Sequence, residues 1–281
     1  MGRQMSASVP LRLRPLEIGD LLDETFRMYR RHFLLFAGIS VIVSIPAAAL
    51  YGFSYFALLG GLLTQTGTGQ PDFGALQSSL VGIGIGALIN LALTPFYYGA
   101  VTYAACESAL GRPVTAGGVI RAVRHRYFQL LGYWLLIGFM ALVLFCLIPL
   151  WIWMWVGWVV VMPVMFVEGA GLRAATERSW RLVRGSWWRT FLILFLLIII
   201  FSIVRAALGA FFALGFGLLQ IVLSSVAVLW ISAAVGVIID SLVNPVLQIA
   251  IVLIYFDLRV RREALDLFQL AQRVVAPQPV V

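Results

Sequence analysis

The 281-residue chain contains no lysine; all 20 of its basic residues are arginine. A GC-rich coding sequence produces that bias by itself, so lysine's absence excludes little. The scarcity of charge excludes more. Charged residues make up 11% of the chain, against about 25% in a soluble globular protein. With 62% hydrophobic residues and a mean hydropathy of +0.99, too little polar surface exists to coat a water-soluble body, so the bilayer must act as solvent.

Cysteine is almost missing. Cys106 and Cys146 lie far apart, which excludes a disulfide scaffold and any Cys-x-x-Cys centre. The two histidines, His32 and His125, sit in arginine-rich segments with no cysteine or carboxylate at ligand spacing, so no metal site is expected. His-Glu-x-x-His, Gly-x-Ser-x-Gly and the Walker loop are also absent. Gly82-Ile83-Gly84-Ile85-Gly86 lacks the strand–turn–helix setting of a dinucleotide loop and reads instead as a close-packing helix face. No polar stretch is long enough for a separate catalytic domain. The expectation is a protein that is not an enzyme and carries no cofactor.

What is present is long apolar sequence: Phe33–Leu63, Leu76–Cys106, Phe128–Val167, Phe191–Phe201 and Ala206–Phe256. Several exceed the roughly 20 residues a helix needs to cross a hydrocarbon core. None alternates as a membrane barrel strand does. The spacing predicts an all-α integral membrane bundle of six transmembrane helices in one membrane domain, 15–268. Three hairpins (about 33–107, 128–167 and 188–257) each follow an amphipathic interfacial helix (about 16–32, 114–127 and 171–186). Residues 1–14 read as a flexible basic start, and 269–281 as the end of a cytoplasmic helix and a disordered tail. The last helix, from Ile221 to Phe256, is too long for one straight crossing and is expected to kink or lie partly at the interface. Pro149 breaks the middle hairpin, and Trp151, Trp153, Trp155 and Trp158 suit a membrane–water interface, expected on the outer side.

Arginine placement orients this bundle. Nineteen of the 20 lie before the first hairpin, between hairpins or after the last, all on one side of the expected membrane; Arg205 is the exception. The positive-inside rule makes that side the cytoplasm, with both termini there. A bacterial inner membrane is the expected location. No apolar segment precedes Phe33, so the first transmembrane helix, rather than a cleavable signal, is expected to direct insertion. Basic residues clustered at helix ends point to anionic lipid headgroups, or a membrane-protein partner, rather than to nucleic acid.

A short repeat marks the start of each hairpin. Arg27-x-x-Arg30-x-x-Phe33, Arg121-x-x-Arg124-x-x-Tyr127 and Arg181-x-x-Arg184-x-x-Trp187 share one pattern. On a helix these positions form an oblique stripe, with two guanidinium groups for phosphates and a ring at headgroup depth. The six arginines are candidate lipid-headgroup contacts. The apolar stripes upstream are Ile18, Leu21/Leu22, Thr25/Phe26 and Tyr29, then Ala116, Ile120, Val123 and Tyr127, and last Leu172, Ala175, Ser179 and Leu182/Val183. A second repeat relates Asn90, Thr94-Pro95 and Glu107 to Asp240, Asn244-Pro245 and Asp257 at identical spacing. Proline inside a helix frees a carbonyl that neighbouring polar groups re-satisfy.

Two ionisable residues sit deep in apolar sequence. Seventeen residues separate Trp188 from Arg205, and Asp240 from Asp257. Both therefore lie about 25 Å along their helices from the cytoplasmic interface, at a common depth that suits an ion pair. With Asn244, Asn90 and Thr94 they form a candidate intramembrane polar site. A transporter would use that site; a structural pair would lock the last two helices. Glu107, Glu168 and Asp257, at cytoplasmic helix ends, are expected to pair with nearby arginines.

Three stretches carry a family resemblance. They are Pro15–Phe33 (PLEIGDLLDETFRMYRRHF), Glu168–Gly171 running into Arg178-Ser179-Trp180-Arg181-Leu182-Val183-Arg184-Gly185, and Tyr255–Glu263 (YFDLRVRRE). Together they resemble a family of bacterial multi-pass membrane proteins similar to the membrane domain of glycerophosphoryl diester phosphodiesterases, over residues 15–268. The resemblance implies the fold and the membrane location. The phosphodiesterase activity of two-part members belongs to a separate soluble barrel, for which this chain offers no matching segment. No functional residues carry over.

Overall fold

The computed structural model describes residues 17–42, 73–219 and 225–275. Among them the structure is helical, without strands. α1 (Ile18–Arg31) is followed by α2, described over Phe33–Ile42. Then come α3 (Phe73–Ala109), α4 (Ala116–Val143), α5 (Ile148–Gly157), α6 (Val161–Val167), α7 (Leu172–Val183), α8 (Trp187–Leu219) and α9 (Ser225–Val275). The expected first outer loop and most of the first membrane helix fall outside the described residues, as do the N-terminal segment before Glu17 and the end of the tail.

Five described stretches are long and apolar enough to cross a membrane: Leu80–Ala109, Ala116–Val143, Ile148–Val167, Trp187–Leu218 and Ala234–Glu263. Many of their large side chains face outward; Leu142 and Phe211 expose 77% and 71% of their surface. In water such a surface would drive aggregation, whereas hydrocarbon solvates it.

The chain forms two compact units. Among the described residues, 17–31, 102–197 and 246–275 make up one, and 32–42, 73–101, 198–219 and 225–245 the other. In the first unit the second half of α9 is the central element. From Val246 to Leu258 every side chain except Leu247 is buried, as expected of a helix apolar on all faces. Ala104, Ala105, Cys106 and Ala109 bury the end of α3, where small side chains permit close helix approach. α6 and α7 form a hairpin about Gly169, whose φ of 74° requires glycine. Gly157 is required by proximity: a Cβ there would collide with the Trp180 ring. Ser179 Oγ donates to the Gly157 carbonyl at 2.8 Å, and Tyr133 OH donates to that of Trp158 at 3.0 Å, fixing α7 and α4 to the turn between α5 and α6.

α5 returns toward the start of α8. Glu168, at the end of α6, accepts from Tyr255 at 3.0 Å, and Arg189, in the first turn of α8, pairs with Asp257. Tyr255 and Asp257 are two residues apart on α9, so Glu168 and Arg189 meet it at nearly one level. Were α5 and α6 a single straight helix, Pro149 would stand about 28 Å from Glu168. Instead Pro149 and Trp153 line one cleft with Arg184 and Arg189. Trp187 Nε1 donates to the Trp153 carbonyl at 3.2 Å, and the Trp153 and Trp180 rings meet edge-on at 4.5 Å. The turn at Trp158–Val160 lets the chain bend. The tryptophan cluster, expected at the far tip of a crossing hairpin, thus stands beside the arginine-rich start of α8. An aromatic cluster marks an interface without saying which one.

The three amphipathic segments also diverge in structure. α1 and α7 are separate helices, ended by a turn at His32 and by Arg184-Gly185-Ser186. The middle segment is not separate: α4 runs unbroken through it, from its Thr115 cap, which accepts from Gly118 N at 3.2 Å. No glycine or proline lies between Arg121 and Leu130 to interrupt it. The stripes bury slightly different edges from those expected. Leu21, Thr25 and Met28 are buried in α1 while Phe26 is exposed; in α4 Val119 and Val123 are buried while Ile120 is exposed. In α7 the expected Ala175, Ser179, Leu182 and Val183 are all buried. α9 continues without a break through Pro245 to Val275.

Candidate functional site

Successive odd residues at the end of α9 divide between two faces. Tyr255, Arg259 and Glu263 recur every four residues on one face, Asp257 and Arg261 on another. The first face meets α6 and α7. Arg178 donates to Glu168 at 3.0 Å and to Glu263 at 2.7 Å; Tyr255 OH donates to Glu168 and Arg259 Nε to Glu263 at 2.7 Å. Burial by itself would lower the Arg178 guanidinium, but the Glu168 and Glu263 carboxylates outweigh it and hold it above its ordinary value. The second face meets α8: Asp257, with 1% of its side chain exposed, accepts from Arg189 and from Arg261 at 3.0 Å. Glu107 pairs with Arg112 at 3.3 Å. All three carboxylates expected to pair with arginines do so.

This network was only partly visible in sequence. Tyr255, Arg259 and Glu263 at i, i+4 and i+8 signal one face, but nothing in the spacing names Glu168 and Arg178 as their partners.

The repeat arginines behave differently. Arg30, Arg121, Arg124, Arg181 and Arg184 are exposed and make no ion pair or hydrogen bond among the described residues. Arg27 makes an exposed pair with Glu24 at 3.5 Å. Exposed apolar side chains stand close to them in sequence: Phe26 and Phe33, Ile120 and Phe128, and Trp188. The repeats do not form three equal stripes. Arg121, Arg124 and Tyr127 share α4; Arg27 and Arg30 end α1 with Phe33 starting α2; Arg181 ends α7, Arg184 follows it and Trp187 begins α8.

In the second unit the structure brings together part of the expected polar site. Arg205 Nε lies 3.1 Å from Asp240 Oδ1, and Arg205 Nη2 donates to Asp240 Oδ2 at 3.2 Å, a side-on, two-point pairing between α8 and α9. Thr94 Oγ1 donates to Asn90 Oδ1 at 3.0 Å within α3. Asn244 makes no hydrogen bond to either pair among the described residues. The candidates therefore fall into two local pairs and one further residue. No group of three or more potential metal ligands occurs among the described residues.

Five apolar spans, outward lipid-type surfaces and internal charge pairing define a multi-pass helical membrane protein. Comparison with known proteins returned no matching family model, no matching curated protein and no matching solved structure.

Proposed function

We propose that the protein is a non-enzymatic scaffold or accessory subunit of the bacterial inner membrane, holding anionic lipid, and through it a membrane-protein partner, with its outward arginines. One observation carries this reading: the arginines divide into two sets. Arg178 and Arg189 are engaged by carboxylates of other helices, and Arg259 and Arg261 by carboxylates of α9 itself, so these four are spent within the same unit. Arg121, Arg124, Arg181 and Arg184 are turned outward, and each supplies about 1 kcal/mol of attraction to an anionic surface. Both termini are cytoplasmic in this reading. Its six apolar helical segments are α2, α3, α4, α5 with α6, α8 and α9. In this reading the turn between α4 and α5 lies on the cytoplasmic side, so the stretch from α4 to α6 makes no net crossing and the number of crossings stays even, as the arginine placement requires.

Hydrogen exchange tests the reading. The first turns of α4 exchange more slowly in phosphatidylglycerol bilayers than in phosphatidylcholine, and Arg121→Gln with Arg124→Gln removes the difference. Equal exchange in the two bilayers would leave these arginines as topology signals alone.

A second reading, a small-molecule or lipid transporter, would have to use the Arg205–Asp240 contact, whose two charges lie within apolar stretches of α8 and α9. The two charges satisfy each other, which suits a structural lock better than an open substrate site.

A further inference from the structure

The cleft beside the first turns of α4 brings two arginines, a histidine and a tyrosine together. It encloses about 500 Å³ and is lined by Tyr103, Gly118, Arg121, Ala122, Arg124 and His125. Arg121, Arg124 and His125 follow the i, i+3, i+4 spacing that gathers side chains on one helix face. Tyr103 comes from α3 and is held by an edge contact with Phe166 at 5.6 Å. Gly118 and Ala122 leave a low floor between the longer side chains. No carboxylate lines the cleft. The nearest in sequence, Glu107, is one helical turn from Tyr103 and is already engaged by Arg112. The cleft around Arg181 offers a contrast, since Glu177 and three tryptophans share its lining.

We infer that the cleft of Tyr103, Arg121, Arg124 and His125 is a binding site for a phosphomonoester, deepening the lipid reading above and resting on it. Two guanidinium groups, an imidazole and a phenol supply hydrogen-bond donors on several sides, as a terminal phosphoryl group with three oxygens and two charges requires. A phosphodiester offers only two free oxygens and one charge. Ile120 and Phe128, exposed on the same helix, supply apolar surface for the chain carrying the phosphate. Two sources share this chemistry: a lipid ending in a bare phosphate, such as phosphatidic acid, and a soluble phosphomonoester.

Native mass spectrometry of the full chain, released from phosphatidylcholine nanodiscs holding equal minor fractions of phosphatidic acid and phosphatidylglycerol, tests the site. Phosphatidic acid is retained over phosphatidylglycerol by roughly tenfold, the worth of one added charge-assisted hydrogen bond. Arg121→Gln with Arg124→Gln abolishes that preference, while Arg181→Gln with Arg184→Gln lowers retention of both anionic lipids alike and keeps their ratio. Tyr103→Phe, which keeps the ring against Phe166, lowers the preference severalfold and decides the matter if the double variant fails to fold. Displacement of phosphatidic acid by glycerol 3-phosphate identifies a soluble phosphomonoester as a ligand; its failure identifies the lipid. Equal retention of the two anionic lipids, lost on replacing either arginine pair, would overturn this site and leave the general lipid reading standing. Retention of neither over phosphatidylcholine would overturn both.

Discussion

Arg189 and Asp257 form the ion pair that closes the first turn of α8 onto α9, and Arg261 approaches the same carboxylate from one turn along α9. Asp257 is almost fully covered, while the two guanidinium groups remain about one-quarter to one-third exposed. This asymmetry decides which partner matters. Removing the carboxylate leaves two like charges facing each other, whereas removing one arginine leaves the other to neutralise Asp257.

Asp257→Asn is therefore expected to destabilise the protein by about 3–5 kcal/mol, the usual cost of breaking a buried pair from one side. Arg261→Gln should cost well under half of that. Thermal or denaturant unfolding in detergent checks the order. Equal losses for the two variants would show that Arg189 alone does not hold the carboxylate.

Gly157 gives a packing prediction. A Cβ at this position meets the Trp180 ring head-on, so Gly157→Ala forces α5 and α7 apart and costs roughly 1–3 kcal/mol by overpacking. In a Trp180→Leu background the same change should cost little, because the obstructing ring is gone. Additive losses in the double variant would mean that the two residues do not meet.

How far the sequence revealed these arrangements depended on the range of the signal. Helical character and apolar span length are local and redundant, so the long helices were legible. The Arg205–Asp240 pair was legible because equal counts along two antiparallel helices imply equal depth. The Glu168–Arg178–Glu263 network was not, because its members meet only after α6, α7 and α9 have packed. The separate middle amphipathic helix also failed as an expectation: the arginine pattern repeats three times, but only the last copy holds a glycine, at Gly185, and no residue type in the first copy accounts for the turn at His32. A motif fixes chemistry on a helix face; chain breaks decide whether that face belongs to its own helix.

Cys146 makes the course of the α4–α6 hairpin measurable without mutation. It is exposed in the turn between α4 and α5, while Cys106 is buried. α5 returns toward Arg184 and Arg189, so with the proposed cytoplasmic placing of those arginines a membrane-impermeant maleimide should label Cys146 in inside-out vesicles and leave it unlabelled in right-side-out vesicles. Labelling only from the outer face would restore a fully crossing hairpin and move the tryptophan cluster to the outer interface.

The Arg205–Asp240 pair separates a scaffold from a transporter. The two-point contact at 3.1 and 3.2 Å lies within apolar stretches of α8 and α9, where an uncompensated charge must neutralise, recruit water or snorkel. Asp240→Ala and Arg205→Ala should each destabilise the protein by roughly 1–3 kcal/mol, discounted from a fully buried pair because both side chains are partly exposed. The double apolar replacement removes both charges together, so much of the loss should return. A scaffold needs only the packing of α8 on α9, and the rescued double variant should bind lipid and assemble as the parent does. A transporter needs the charges themselves, and its double variant would regain stability without regaining flux in reconstituted vesicles. Single variants as stable as the parent would mean that the contact contributes nothing. The argument for an intramembrane site would then rest on the Asn90–Thr94 hydrogen bond, which is local to α3 and needs no ligand to explain it.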